Sequence, residues 1–154
     1  MNLEYEKLED KKEKPEDFRE HFINWKFPEI PLNGITKYGW RVFGHDNNDP
    51  KKLKIGFGSD ISCNNVIFAH FGVTIEPYVQ IGPYCAIMSY SSIDDKKGPI
   101  VLKRNSRIGA YSTIMPGITV GENSIVGAYS FVNKDVPDNV LVLGIPAKIV
   151  KKLK

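Results

Sequence analysis

Ile108-Gly-Ala-Tyr-Ser-Thr-Ile114-Met-Pro-Gly-Ile-Thr-Val120-Gly-Glu-Asn-Ser-Ile-Val126-Gly-Ala-Tyr-Ser-Phe-Val132 carries an aliphatic residue at every sixth position. Leu102 extends the register upstream. A period of six is neither the 3.6 of a helix nor the two of a strand. It requires a chain that turns after each short strand and returns the same face to one interior. Glycine follows the aliphatic position at Gly109, Gly121 and Gly127, and a small residue recurs at Ser106, Ser112, Ser124 and Ser130. Three such hexads make one triangular coil, and stacked coils form a parallel β-helix.

The register extends upstream with interruptions. Ile55, Ile61, Ile67 and Val73 hold one phase, and Ile75, Ile81, Ile87 and Ile93 hold another. The slip of two between Val73 and Ile75 predicts an irregular coil near His70. From Ile93 to Leu102 the gap is nine, and the extra residues Asp94-Asp-Lys-Lys-Gly-Pro99 predict a loop thrown out of the coil. Loops held on a rigid scaffold are common places for function. The segment 53–146 is predicted to hold about five coils, followed by a basic cap at 147–154.

A chain of 154 residues with 42% hydrophobic content is expected to form one globular domain. No apolar run approaches a membrane span, and the acidic N-terminus lacks a signal-like apolar region. A cytoplasmic protein without membrane insertion is the expectation. The net charge of +3 is too small to suggest nucleic acid. Cys63 and Cys85 read as reduced, small core residues at stacked positions.

Residues 1–52 differ in pattern and read as an N-terminal arm. Residues 1–14 are highly charged, and a frayed start is expected. From Pro15 to Trp25 the chain reads as a short helix with Phe18, Phe22 and Trp25 on one face. Such a stripe suits a cap over the open end of the β-helix or an arm on a neighbouring subunit. Gly34–Gly44 reads as short extended pieces leading into the first coil.

The stretch Ile108–Pro137 and the exit Gly144-Ile-Pro-Ala-Lys-Ile-Val-Lys-Lys152 closely resemble the hexapeptide-repeat acyltransferases. The resemblance covers roughly residues 53–152. It implies a left-handed coil, an exception to the usual right-handed crossover. It also implies a homotrimer with acetyl-CoA between neighbouring prisms, and a hydroxyl or amine acceptor, here a sugar or nucleotide-linked sugar. On that reading Gly109, Ala110, Gly127 and Ala128 would let the cofactor approach a row of backbone groups. The competing reading makes the glycines simple corner residues. Lys134 and Lys148 would meet the adenosine phosphates as point charges, or stand solvated.

Acyl transfer needs a proton acceptor, and histidine is the usual one near neutral pH. His21 falls in the arm and His45 in a turn-rich connector, so His70, at the register slip, is the candidate base. Eighteen-residue coils would place it beside Met88. Tyr90, Asp94 and Asp95 are candidate substrate contacts. Relatives acting on sugars often carry histidine at the start of the extruded loop, whereas Ile87–Asp95 has none. Three histidines at 21, 45 and 70 do not make a zinc triad, and no metal is expected. The alternative function is a non-catalytic scaffold or binding protein with the same fold.

Overall fold

The computed structural model describes residues 2–15, 25–44 and 48–154. The chain is almost entirely β, wound as a left-handed parallel β-helix with three faces. On the first face lie Leu53–Gly56, Val73–Ile75, Ile100–Leu102 and Thr119–Val120, with a bridge to Val136. Asp60–Ile61, Gln80–Ile81, Arg107–Ile108, Ile125–Val126 and Val140–Gly144 make the second. Arg41–Phe43, Val66–Phe68, Ala86–Met88, Thr113–Ile114 and Phe131–Val132 make the third. Five rungs per face agree with the expected coil number. No described helix is long and apolar enough to cross a membrane.

The predicted ladder is the core. Leu102, Ile108, Ile114, Val120, Val126 and Val132 are all buried, as are Ser106, Ser112, Ser124 and Ser130. Three of these serines are tolerated inside because their hydroxyls answer carbonyls: Ser112 donates to Gly127 O at 3.1 Å, Ser124 to Pro137 O at 2.5 Å and Ser130 to Gly127 O at 2.6 Å, while Ser106 Oγ has no partner among the described residues. The corners demand left-handed backbone. Tyr78, Asn105, Asn123 and Asn139 supply it at the first corner, and Asn64, Tyr84, Tyr111 and Tyr129 at the second. At the first corner the asparagine amides link coil to coil, Asn105 to Asn123 at 2.9 Å and Asn123 to Asn139 at 3.2 Å.

Coil length varies. Thr113 pairs with Phe131 eighteen residues on, but Leu53 pairs with Val73 twenty on, and Arg41 with Val66 twenty-five on. This corrects three expectations. The helix begins before residue 53, since Arg41–Phe43 is already a rung of the third face. Cys63 is exposed and only Cys85 is buried, because a coil of twenty does not stack one over the other; both thiols are free. Ile93 is 95% exposed rather than a ladder residue. It sits at the tip of an extruded hairpin in which Tyr90–Ser91 pairs antiparallel with Lys96–Lys97, closed by Gly98 N donating to Ser89 O. The loop therefore runs 90–97, not 94–99.

The start of the chain is strapped down, not frayed. Glu6–Leu8 adds a parallel strand to the first face beside Leu53–Gly56. Asp10 then receives Arg104 Nη2 at 3.0 Å and Nε at 3.4 Å, with Arg104 lying over the Tyr78 ring. Charge had suggested a solvated tail, but a partner on a distant coil absorbs it. The expected helix over 15–25 falls on 16–24, outside the described residues. Trp25 itself donates its indole N–H to Ser59 O and packs edge-on against Phe57.

Burial pushes the Asp10 carboxyl upward, but the Arg104 hydrogen bonds and charge, with the Lys12 N–H, outweigh it and hold the carboxyl below its ordinary range. A carboxylate with a depressed folded value contributes stability above its unfolded value, about 3.9, and loses it as pH falls below. Asp10→Asn should therefore melt below the parent at neutral pH. The gap should close as pH drops from about 4. A gap constant across a melting series from neutral pH to pH 3 would contradict this strap.

Candidate functional site

Two groups of residues stand out, at two different corners. The third corner carries His70. Between Val66–Phe68 and Val73–Ile75 the chain makes its irregular turn, fastened by fully buried Ser89, which donates to Phe68 O at 2.5 Å and accepts Phe71 N–H at 3.0 Å. The imidazole stacks near the Phe68 ring, centroids 5.9 Å apart, and tilts against Tyr90 at 5.6 Å. Met88 instead pairs with Phe68, because this coil holds twenty residues, not eighteen. His70 Nδ1 is closed off from solvent and, among the described residues, has no hydrogen-bond partner. Gly44 lies against the same ring, where any side chain would collide with it.

Around His70 the aromatic surface continues. Phe43 stacks on Phe68 at 5.2 Å, Phe71 meets Tyr90 at 5.8 Å, and Lys97 Nζ sits 5.8 Å from the Phe71 ring. Phe43 and Phe71 remain exposed. The structure thus joins His70 and Tyr90. Asp94 and Asp95 turn to their own hairpin, pairing with Lys96 at 2.9 Å and Lys97 at 3.5 Å. Hydrogen bonds from Ser91 and Lys96 keep the Asp94 carboxyl below the ordinary range, so it stands ionised at the loop.

The second corner carries the small residues. Gly109, Gly127 and Ala128 line one shallow groove with Gly82 and Arg107, along the second face. A side chain on Gly109 would run into the Ala128 backbone, one on Gly82 into Ala110 N, and one on Gly127 into Leu143. Gly109 and Gly82 are required by coil-to-coil stacking, whereas at Gly127 the movable end of the Leu143 side chain could give way. Ala110 and Ala128 follow them and precede Tyr111 and Tyr129, whose rings stack 4.9 Å apart within 1° of parallel. Lys148 lies on the returning strand Ala147–Lys152, opposite Leu143. Lys134 follows Phe131–Val132 and belongs to the third corner, apart from Lys148. Both lysines are exposed.

His70 and the alanines of the groove are therefore separated by the third face of the same prism. No single chain closes a site from both. Among the described residues, no group of three or more His, Cys, Asp or Glu side chains is placed to hold a metal ion. Sequence reasoning missed Phe43, Phe68, Phe71, Ser89 and Lys97. For Phe43 and Phe68 the signal is a pair of aromatic residues twenty-five apart, which a fixed hexad count does not see.

Residues 99–134 match the sequence family described as bacterial transferase hexapeptide (six repeats). The chain is 32% identical over 114 residues to the galactoside O-acetyltransferase of Escherichia coli K12, covering 63% of this chain and 56% of that protein. It resembles the crystal structure of a Vibrio cholerae hexapeptide-repeat acetyltransferase complexed with acetyl coenzyme A, with TM-score 0.65 and 36% identity over 68% of this chain and 62% of that one. A maltose O-acetyltransferase of Clostridium difficile 630 superposes with TM-score 0.67 and 26% identity, over 75% and 64%. The chain spans a little over half the length of its Escherichia coli relative.

Proposed function

This chain belongs to the hexapeptide-repeat transferases, and from that premise we propose that it moves an acetyl group from acetyl-CoA to a hydroxyl or amine of a sugar or nucleotide-linked sugar. The observation that carries the reading is the division of the site. His70 stands at the third corner, and the small-residue groove with Ala128 lies by the second. A homotrimer set corner to corner would bring one chain's histidine to its neighbour's groove. Relatives with coenzyme A or sugar acceptors in their names support the cosubstrate and acceptor class. The exposed ring of Phe71, with the half-buried ring of Tyr90 beside it, suits the apolar face of a pyranose. A cytoplasmic address accords with a cosubstrate drawn from the cell's acetyl-CoA.

In this mechanism the acceptor's O–H or N–H donates to the imidazole. Its oxygen or nitrogen attacks the thioester carbonyl, and the carbon–sulfur bond breaks to release coenzyme A. The proton taken by His70 then passes to the departing thiolate. Backbone N–H groups of the groove wall would hold the thioester oxygen while charge builds on it. Lys134 and Lys148 would meet the phosphates.

One observation favours a second reading. Among the described residues no group hydrogen-bonds His70 Nδ1, whereas a catalytic imidazole is commonly oriented through that nitrogen. A non-catalytic binding protein would not need it. Acetyl-CoA separates a working cosubstrate site from none. At a hundredfold excess over Kd it should stabilise the protein by about 2.7 kcal/mol, or raise Tm by roughly 5–10 °C. Free thiol should appear when a competent acceptor is added. No thermal shift at millimolar acetyl-CoA would remove the transferase reading, and a shift without thiol release across a panel of sugars would favour the binding protein.

A further inference from the structure

The second corner carries a column of three tyrosines. Tyr84 and Tyr111 stack 4.9 Å apart at 8°, and Tyr111 and Tyr129 at the same spacing and 1°. All three sit at positive φ, between 59° and 60°. That region is costly for a bulky side chain and is ordinarily left to glycine or asparagine. The same fold meets the same need with Asn105, Asn123 and Asn139 at its first corner, so tyrosine is not demanded by the turn. Repeated backbone strain of this kind concentrates at sites of use.

The column is open at one end. Tyr111 has a ring on both faces, while Tyr129, among the described residues, stacks on Tyr111 alone and is 65% exposed. Beyond it the C-terminal hairpin approaches the same corner, since Gly144 N donates to Ser130 Oγ at 3.2 Å. That hairpin presents exposed Ile145 and Lys148. Ala128, beside Tyr129, lines the groove of the second face.

We propose that the outer face of Tyr129 is the platform on which the adenine ring of the acyl donor stacks. This rests on the reading of acetyl-CoA as cosubstrate. Adenine is the one flat aromatic part of that molecule, and an open ring at the end of a parallel column offers it a further rung. The pantetheine arm then lies along the groove past Ala128. Lys148, on the hairpin, supplies a cation for the ribose phosphate. The inner tyrosines stiffen the platform, and Tyr129 acts as a positioning residue.

Calorimetry on the full chain should compare coenzyme A with 4′-phosphopantetheine, which lacks adenosine. Tyr129→Gly is the decisive variant, because glycine relieves the positive φ and the fold survives. It should weaken coenzyme A by roughly tenfold to a hundredfold and leave 4′-phosphopantetheine within about twofold. Tyr129→Phe should bind coenzyme A like the parent. Equal weakening of both ligands, or loss in the phenylalanine variant, would overturn the platform. So would a change of oligomeric state in Tyr129→Gly with coenzyme A affinity intact, which would make the ring a contact between copies. A parent protein that binds neither ligand would instead overturn the cosubstrate reading beneath it.

Discussion

Val120→Asp is expected to leave no stable β-helix. Val120 is wholly buried, on a rung flanked by Leu102 and bridged to Val136. A carboxylate there would meet only branched aliphatic side chains. Uncompensated burial of a charge costs several kcal/mol even after the group protonates. Domains of this size hold about 5–15 kcal/mol in all, so one such residue consumes much or all of it. The neighbouring coils suffer too, because each rung packs on the next. Thr113→Asp is the control. It places the same group on an outward-facing strand position, where substitutions usually shift stability by less than about 1 kcal/mol. Circular dichroism melts of the two variants decide the matter. A cooperative, parent-like melt for Val120→Asp would mean that the ladder does not line the interior.

His70→Ala is expected to lower kcat by about a hundredfold to ten-thousandfold, the usual worth of a placed general base. The Kd for acetyl-CoA should stay within about twofold, since the imidazole's proposed role is to take the acceptor's proton and not to hold the donor. The substitution also removes a ring from the Phe68–His70–Tyr90 contact series. His70→Gln keeps more of that volume and should be as inactive. A parent-like kcat in both variants would take the imidazole out of the chemistry.

Much of the scaffold was legible because a hexad reports a local rule. Each turn and short strand repeats the same demands, so Leu102 through Val132 could be placed inside without coordinates. The N-terminal strap was not legible. The charges of residues 1–14 look solvated until Arg104, ninety-four residues from Asp10, is seen beside it. Ile93 kept the hexad phase and still left the core, since its phase says nothing about where the hairpin departs. His70 was singled out by its residue type and by the register slip, and the structure sets it among Phe68 and Tyr90. Its neighbours were not found, because coils of twenty and twenty-five residues broke the count that would have aligned Phe43, Phe68 and Met88.

What the amino-acid order alone determined was the triangular coil, its aliphatic lining and the need for small residues at its turns. These follow from spacing, which acts between near neighbours in the chain. Only the tertiary structure decided which corner each functional side chain occupies. That depends on where the extra residues of the longer coils are taken up: Leu53, Val73 and Ile100 share one face although twenty and twenty-seven residues separate them, so a fixed count loses an alignment that the prism keeps.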